Sequence, residues 1–309
     1  VLQEIHKDLI PSLDKLIKTF DKKTQEWDKI IKIGRTHFQD AVPISLGQEV
    51  SAWSKQLADA KKSILSSIKG ILVLPIGGTA VGTGINCPPN FSNEVVNLIA
   101  HETNLAFEKA ENNFSLMASH DRLANVMSEI KNLSCALFKI SNDIKILSSG
   151  PRSGIDELII PKNEPGSSIM PGKVNPTQCE ALSMICSQIM GFEYSVSIAN
   201  CSGTLQMNEY KPLIAFNILN SIELLSESIK SFTTKLVEGM KPNYQKINLH
   251  LENSLMLVTA LVPEIGYEKS AAIVNLAYKQ SITLKEANKE LGYIDEEKFS
   301  EIISPNKMI

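Results

Sequence analysis

Apolar residues recur in alternating steps of three and four along most of this chain. Leu46, Val50, Trp53, Leu57, Ala60, Ile64 and Ile68 form one such stripe. It begins behind Ser45, which with Gln48 three residues on reads as a capping box. A second stripe runs through Leu123, Val126, Ile130, Leu133, Leu137, Ile140, Ile144 and Leu147 and stops at Gly150. A third takes in Leu182, Ile185, Ile189, Phe192, Val196 and Ala199, and a fourth covers 213–236. This is the period of amphipathic helices. Seams of this length predict an all-α fold, a long central helical bundle with little or no sheet in its core. The lysine-rich opening, 2–27, has the same period, broken by Pro11.

Between the stripes the period is lost. "KIGRTHFQDAVP" reads as an extended loop stopped by Pro43. "LPIGGTAVGTGINCPPNF" is rich in glycine and proline. It lacks the Gly-Lys-Ser/Thr ending of a phosphate-binding loop and follows no clear strand, so it reads as a structural or substrate-lining loop. Within 150–176 only 157–160 has strand character, as part of a small hairpin. After Met240 the pattern shortens: Pro242, Pro263 and Gly266 interrupt it, and two short helices follow around 271–279 and 284–291. We therefore expect two domains. Residues 1–240 form the central helical bundle domain that carries the chemistry, and 241–309 form a small helical C-terminal domain. The chain starts at Val1 with a residue already inside a helical pattern, as expected of a piece of a longer protein.

Composition changes this picture little. The 309 residues carry a formal net charge of -3, and the 31 basic residues are scattered. Neither nucleic acid nor a membrane is an expected partner, and no apolar run is long enough to span a bilayer. Five cysteines, an odd number without C-x-x-C spacing, predict buried free thiols in a reducing compartment. The five histidines form no H-x-x-x-H pair, so no metal site is expected.

The candidate chemistry sits in "GSSIMPGKVNPTQCE", 166–180. Asn175, Pro176 and Gln178 suit the N-cap, first and third positions of a helix. The positive end of that helix and Lys173 together make a site for an anion, most simply a carboxylate. Ser167 and Ser168 follow a glycine, on a segment able to close over a ligand. They are useful in catalysis only if a cation and amides stabilise an alkoxide or a base takes the proton. Equally, they could be a plain hinge. Glu180, placed in the second turn, suits its helix dipole, and beside a histidine it would form a tuned acid–base group. His37, in the "GRTHFQD" loop, is the best partner. His6, His101, His120 and His250 fall in or beside helical patterns and read as surface or packing residues.

These segments carry a resemblance. "GSSIMPGKVNPTQCE" and "KIGRTHFQDAVPISLGQEV" resemble the signature and the histidine-bearing region of the fumarase/aspartase superfamily. With "GGTAVGTG", "SGPRSG", "PKNEPGSSIMPGKVNP" and "NSLMLVTAL…IGYEKSA" they are similar, in order, to the class II fumarases. Aspartases usually have glutamine at the His37 position and alanine at the Gly172 position. The resemblance implies reversible hydration of fumarate to malate, no cofactor, and a homotetramer with each active site built from three subunits. It implies a cytoplasmic location, or the mitochondrial matrix in a eukaryote. It also implies that Ser167 takes a proton from C3 of malate and that Thr36, Ser168, Lys173, Val174 and Asn175 bind substrate. His37, paired with Glu180, would handle the water at C2. The family's N-terminal domain, with its further ligands, is missing, so the implied activity needs it. Gln206 and Val262 depart from residues common in relatives. A sister lyase acting on aspartate, or a non-catalytic scaffold of the lens-crystallin kind, are the alternatives.

Overall fold

A computed structural model describes residues 1–164 and 169–309. It is mostly helical, with six short strands paired two by two among the described residues. In order, α1 (Leu2–Glu4) passes through a π-helical stretch (Ile5–Leu9) into α2 (Ile10–Glu26). The hairpin strands β1 (Ile31–Thr36) and β2 (Gln39–Ser45) lead into α3 (Leu46–Ser67). There follow β3 (Val73–Leu74), α4 (Phe91–Thr103), β4 (Glu108–Lys109), α5 (Asn113–Ala118) and α6 (Asp121–Leu147). Then come β5 (Leu158–Ile159), α7 (Thr177–Cys201), α8 (Lys211–Phe232) and β6 (Lys241–Pro242). The chain ends in α9 (Tyr244–Asn253), α10 (Val262–Ile265), α11 (Tyr267–Gln280), α12 (Leu284–Leu291) and α13 (Glu296–Ile302).

Contacts divide the chain into two compact units. The first holds Val1–Thr19, Trp53–Lys145 and Pro161–Gly239. Its core is the predicted bundle: Leu57 and Ile64 of α3, Val126, Ile130, Leu133, Leu137 and Ile140 of α6, and Ile214, Ile218, Ile222, Leu225 and Ile229 of α8 are all buried. Each such side chain contributes roughly 1.5–3 kcal/mol on leaving water. On α7 the buried line is Cys179, Leu182, Cys186, Ile189, Val196 and Ala199, with Ile185 and Phe192 only half-buried beside it. Polar ties cross between the helices. The Trp53 indole donates to Asp143 at 3.1 Å, and the Ser141 and Ser183 hydroxyls meet at 2.9 Å.

The second unit holds Phe20–Ala52, Ile146–Ile160 and Met240–Ile309. Its core joins Ile33 of β1 to Leu257, Leu261, Ile273, Ala277, Leu284, Ala287 and Phe299. The Lys23 ammonium is buried. It donates to the Met240 carbonyl at 2.8 Å and lies 4.7 Å from the centre of the Trp27 ring. α3 starts close against the end of α2: a Cβ on Gly47 would lie 2.5 Å from the Thr24 carbonyl oxygen, so only glycine fits there.

Several expectations are corrected. Pro11 does not break the first helix. It enters behind the π-helical stretch, where the Ile10 N–H reaches back to the Ile5 carbonyl, and one widened turn absorbs it. "KIGRTHFQDAVP" is not a loop but most of a β-hairpin. The strand at 158–159 exists, but it pairs with distant β6 rather than within a local hairpin. Among the cysteines, Cys179 and Cys186 are buried, their thiols pushed up to about 12 by burial, while Cys135 and Cys201 are exposed. The Ser45–Gln48 capping box forms as expected, with both bonds at 2.9 Å. Among the described residues no helix is long and apolar enough to cross a membrane.

Candidate active site

The β1–β2 hairpin owes its geometry to its two ends. At the tip, Thr36 pairs with Gln39, leaving His37 and Phe38 as a two-residue turn. Both have left-handed backbones, φ 55° and 60°. Turns of this kind favour Asn-Gly because side chains with a Cβ resist positive φ. His37 and Phe38 therefore hold a conformation that costs roughly 1–2 kcal/mol per residue. Thr36, His37 and Phe38 are all exposed. Lower in the ladder the register slips between Ile33 and Arg35, so that Gly34 faces both Ala41 and Val42. Such a bulge sharpens the local twist. A Cβ on Gly34 would lie 2.8 Å from the Val42 carbonyl oxygen, which is why glycine stands there.

At the root lies a buried charge cluster that our reading of the sequence did not find. Its centre is Glu157, fully buried between α6 and β5. The Glu157 backbone is pinned on both sides: its N–H donates to the Leu147 carbonyl at 2.8 Å and its carbonyl accepts from the Asn243 N–H at 2.9 Å. Lys32, also buried, places its ammonium 2.8 Å from Glu49 Oε2 and 2.9 Å from Glu157 Oε2. An Arg35 Nη donates to Glu157 Oε1 at 2.8 Å, and Arg35 Nε lies 3.7 Å from Asp40 across the hairpin. His250 Nδ1, on α9, meets the same Glu157 oxygen at 3.0 Å. An ionised carboxylate only accepts, so Nδ1 carries the proton in this contact. On a flat strand, positions 32 and 35 face opposite sides; the twist at the bulge lets both reach one carboxylate. Burial alone would raise the Glu157 pKa, but Arg35, then Lys32 and His250, outweigh it and hold the carboxyl below its usual range. Of the two readings for His250, surface or packing, neither included its bond to a buried carboxylate. His120 takes the packing role of the two expected for it, buried with Nε2 3.1 Å from the Asn208 carbonyl oxygen. Burial, with the nearby Lys211 charge, lowers its pKa against the opposing Asn208 bond and Asp121 charge.

The second group of candidate residues belongs to the loop before α7. That helix starts at Thr177 with Pro176 as its N-cap and has no side-chain cap bond. Asn175 is therefore outside the helix, not its cap. Gln178 accepts from the Ser231 hydroxyl at 2.7 Å instead of capping. Glu180 moves up into the first turn, its N–H donating to the Pro176 carbonyl at 3.1 Å. Lys173, Val174, Asn175 and Glu180 are exposed. They stand together at the positive end of a 25-residue helix, where an anion is favoured. Gly172, at φ 86°, turns the loop just before Lys173. Ser167 and Ser168 lie outside the described residues. The structure thus sets out two groups, Thr36 with His37 on the hairpin tip and Lys173 to Asn175 with Glu180 at the start of α7. Among the described residues no cluster of three His, Cys, Asp or Glu side chains is placed to hold a metal.

Comparison with known proteins bears on what these groups serve. Residues 1–191 match a family model described as lyase, and 257–309 match one described as fumarase C C-terminus. Over all 309 residues the chain is 68% identical to a class II fumarate hydratase of Prochlorococcus marinus subsp. pastoris, covering 67% of that protein. Its structure superposes on a crystal structure of a class II fumarase from Schistosoma mansoni with a TM-score of 0.94 at 44% identity, covering 99% of this chain and 67% of the other. A fumarate lyase:delta crystallin of Brucella melitensis gives a TM-score of 0.95 at 34% identity, with coverage of 99% and 66%. The chain spans about two thirds of the length of these relatives. The chain belongs to the lyase family of the fumarase/aspartase superfamily, in its class II fumarate hydratase branch.

Proposed function

We propose that the protein interconverts fumarate and L-malate. The observation that carries this reading is the 68% identity to a class II fumarate hydratase along the whole chain. In the malate-to-fumarate direction, Ser167 takes the C3 proton as an alkoxide. The electron pair left on C3 is delocalised into the adjacent carboxylate. Lys173 and the positive end of α7, beside Val174 and Asn175, stabilise that growing charge more than the ground state, which is what lowers the barrier. The C2 hydroxyl then leaves as water, with His37 supplying the proton and Glu180 fixing and charging the imidazole. Thr36 and Ser168 orient the substrate. Ligands still needed come from the part of the relatives that this chain does not span, so activity requires that part. Turnover of malate by the full-length protein, followed as fumarate's ultraviolet absorbance, tests the reading.

A homotetramer with sites shared between subunits belongs to the same proposal. On α7, Met184, Tyr194 and Ile198 are exposed, and on α8 Leu213, Phe216 and Leu219 are at least 39% exposed. An apolar face of this extent on a helix pair is an interaction surface, and further copies of the same helices would cover it. The division into a 1–240 bundle domain and a 241–309 C-terminal domain is likewise proposed. It is supported by the separate family match over 257–309. A cytoplasmic location completes the reading.

A further inference from the structure

We propose that the Glu157 cluster is the positioning device for the catalytic hairpin: Arg35, Lys32 and His250, gathered on one buried carboxylate, set where Thr36 and His37 stand. The inference rests on the reading of Thr36 and His37 as substrate-binding and catalytic residues. His37 and Phe38 hold left-handed backbones that neither residue prefers, and Phe38 is 73% exposed, so packing at the tip does not enforce the turn. Strain of this kind persists only where the surroundings over-determine it. Within the chain the constraint comes from below. There, one residue from the tip, Arg35 is tied twice, to Glu157 Oε1 at 2.8 Å and towards Asp40 on the opposite strand at 3.7 Å. Lys32 ties the same strand to Glu157 and to Glu49 of α3. His250 brings α9 to the same oxygen as Arg35. Glu157 in turn is fixed by its two backbone bonds, and β5–β6 pairing stands next to it.

A buried charge cluster of this kind is a poor way to gain stability, since apolar residues of the same volume often do as well. What it supplies is direction. The guanidinium fork and the carboxylate fix distance and angle together, and a displacement of about 1 Å at a catalytic group is worth as much as a hundredfold in rate. Arg35, Lys32, Glu157 and His250 touch no reacting atom; they act through the hairpin.

The test is a double-mutant cycle in the full-length enzyme. Arg35→Lys keeps the charge and loses the fork. It should lower kcat per folded enzyme about tenfold or more, measured well below the unfolding temperature. In a His37→Asn background the same substitution should cost less than threefold, because the proton-handling residue it positions is gone and only the Thr36 share remains. His250→Gln, at a partly exposed position, should show the same loss and the same cancellation, and it serves if Arg35→Lys does not fold. Equal losses in both backgrounds, or a lowered unfolding temperature with kcat unchanged, would overturn the proposal. Full activity of His37→Asn alone would instead overturn the assignment of His37 on which it rests.

Discussion

Single residues divide into those whose chemistry shows in the sequence and those whose chemistry is made by burial. Lys173 and His37 belong to the first kind, because a cation before a helix start and a histidine in an aperiodic segment stand out from their surroundings. Glu157 and His250 belong to the second. Nothing near either residue in the chain hints at the other, and the fold alone brings them to 3.0 Å. We predict that Ser167→Ala, His37→Asn and Glu180→Gln each reduce turnover by about a hundredfold or more with little loss of unfolding temperature, the scale of a lost acid–base group. Near-normal turnover in Ser167→Ala would remove it as the base. pH acts on other residues. The lowered pKa of His120 means that the folded state prefers the neutral ring. Its contribution to stability is present above the ordinary histidine value of about 6.5 and is lost as pH falls below that value. Glu157, also lowered, contributes above the ordinary carboxylate value, and its share is lost only further down, through its folded pKa. Unfolding midpoints measured from pH 8 to pH 3 should fall in that order, and His120→Gln should flatten the first part only. An unchanged profile between pH 7 and pH 5 in both proteins contradicts the His120 assignment.

Secondary-structure elements were legible where side-chain period decides them. The long helices and the capping box follow from steps of three and four and from Ser45 with Gln48. α12 has the predicted bounds, Leu284–Leu291, and closes a capping box between Thr283 and Glu286. The hairpin was missed because its signals are the wrong ones. His-Phe stands where Asn-Gly would announce a turn, and Pro43 lies opposite Ile33 inside a strand. In a two-stranded sheet both strands are edges, which tolerate proline. The start of α7 was misplaced by one residue, because Asn-Pro is a good cap in general and here makes no cap bond. At this scale we expect Ser45→Ala to cost about 1 kcal/mol of stability, the usual worth of such a cap, measured by denaturant unfolding. A loss below about 0.3 kcal/mol would mean that packing of Leu46 and Val50 sets the helix start alone.

At the scale of the whole molecule, the all-α class and the bundle follow from the sequence. The gathering of 20–52 and 146–160 with the C-terminal segment does not, because those contacts are long-range and leave no local period. The exposed apolar residues of α7 and α8 predict a tetramer by light scattering of the full-length protein. A monodisperse monomer with its helices intact would contradict that assembly. The reaction itself can be read from a single assay. Malate and aspartate are offered in parallel to the full-length protein, and the ultraviolet absorbance of fumarate is followed. Absorbance rising with malate and flat with aspartate is the predicted result. Fumarate formed from aspartate alone, or from neither substrate by folded, assembled protein, contradicts the account.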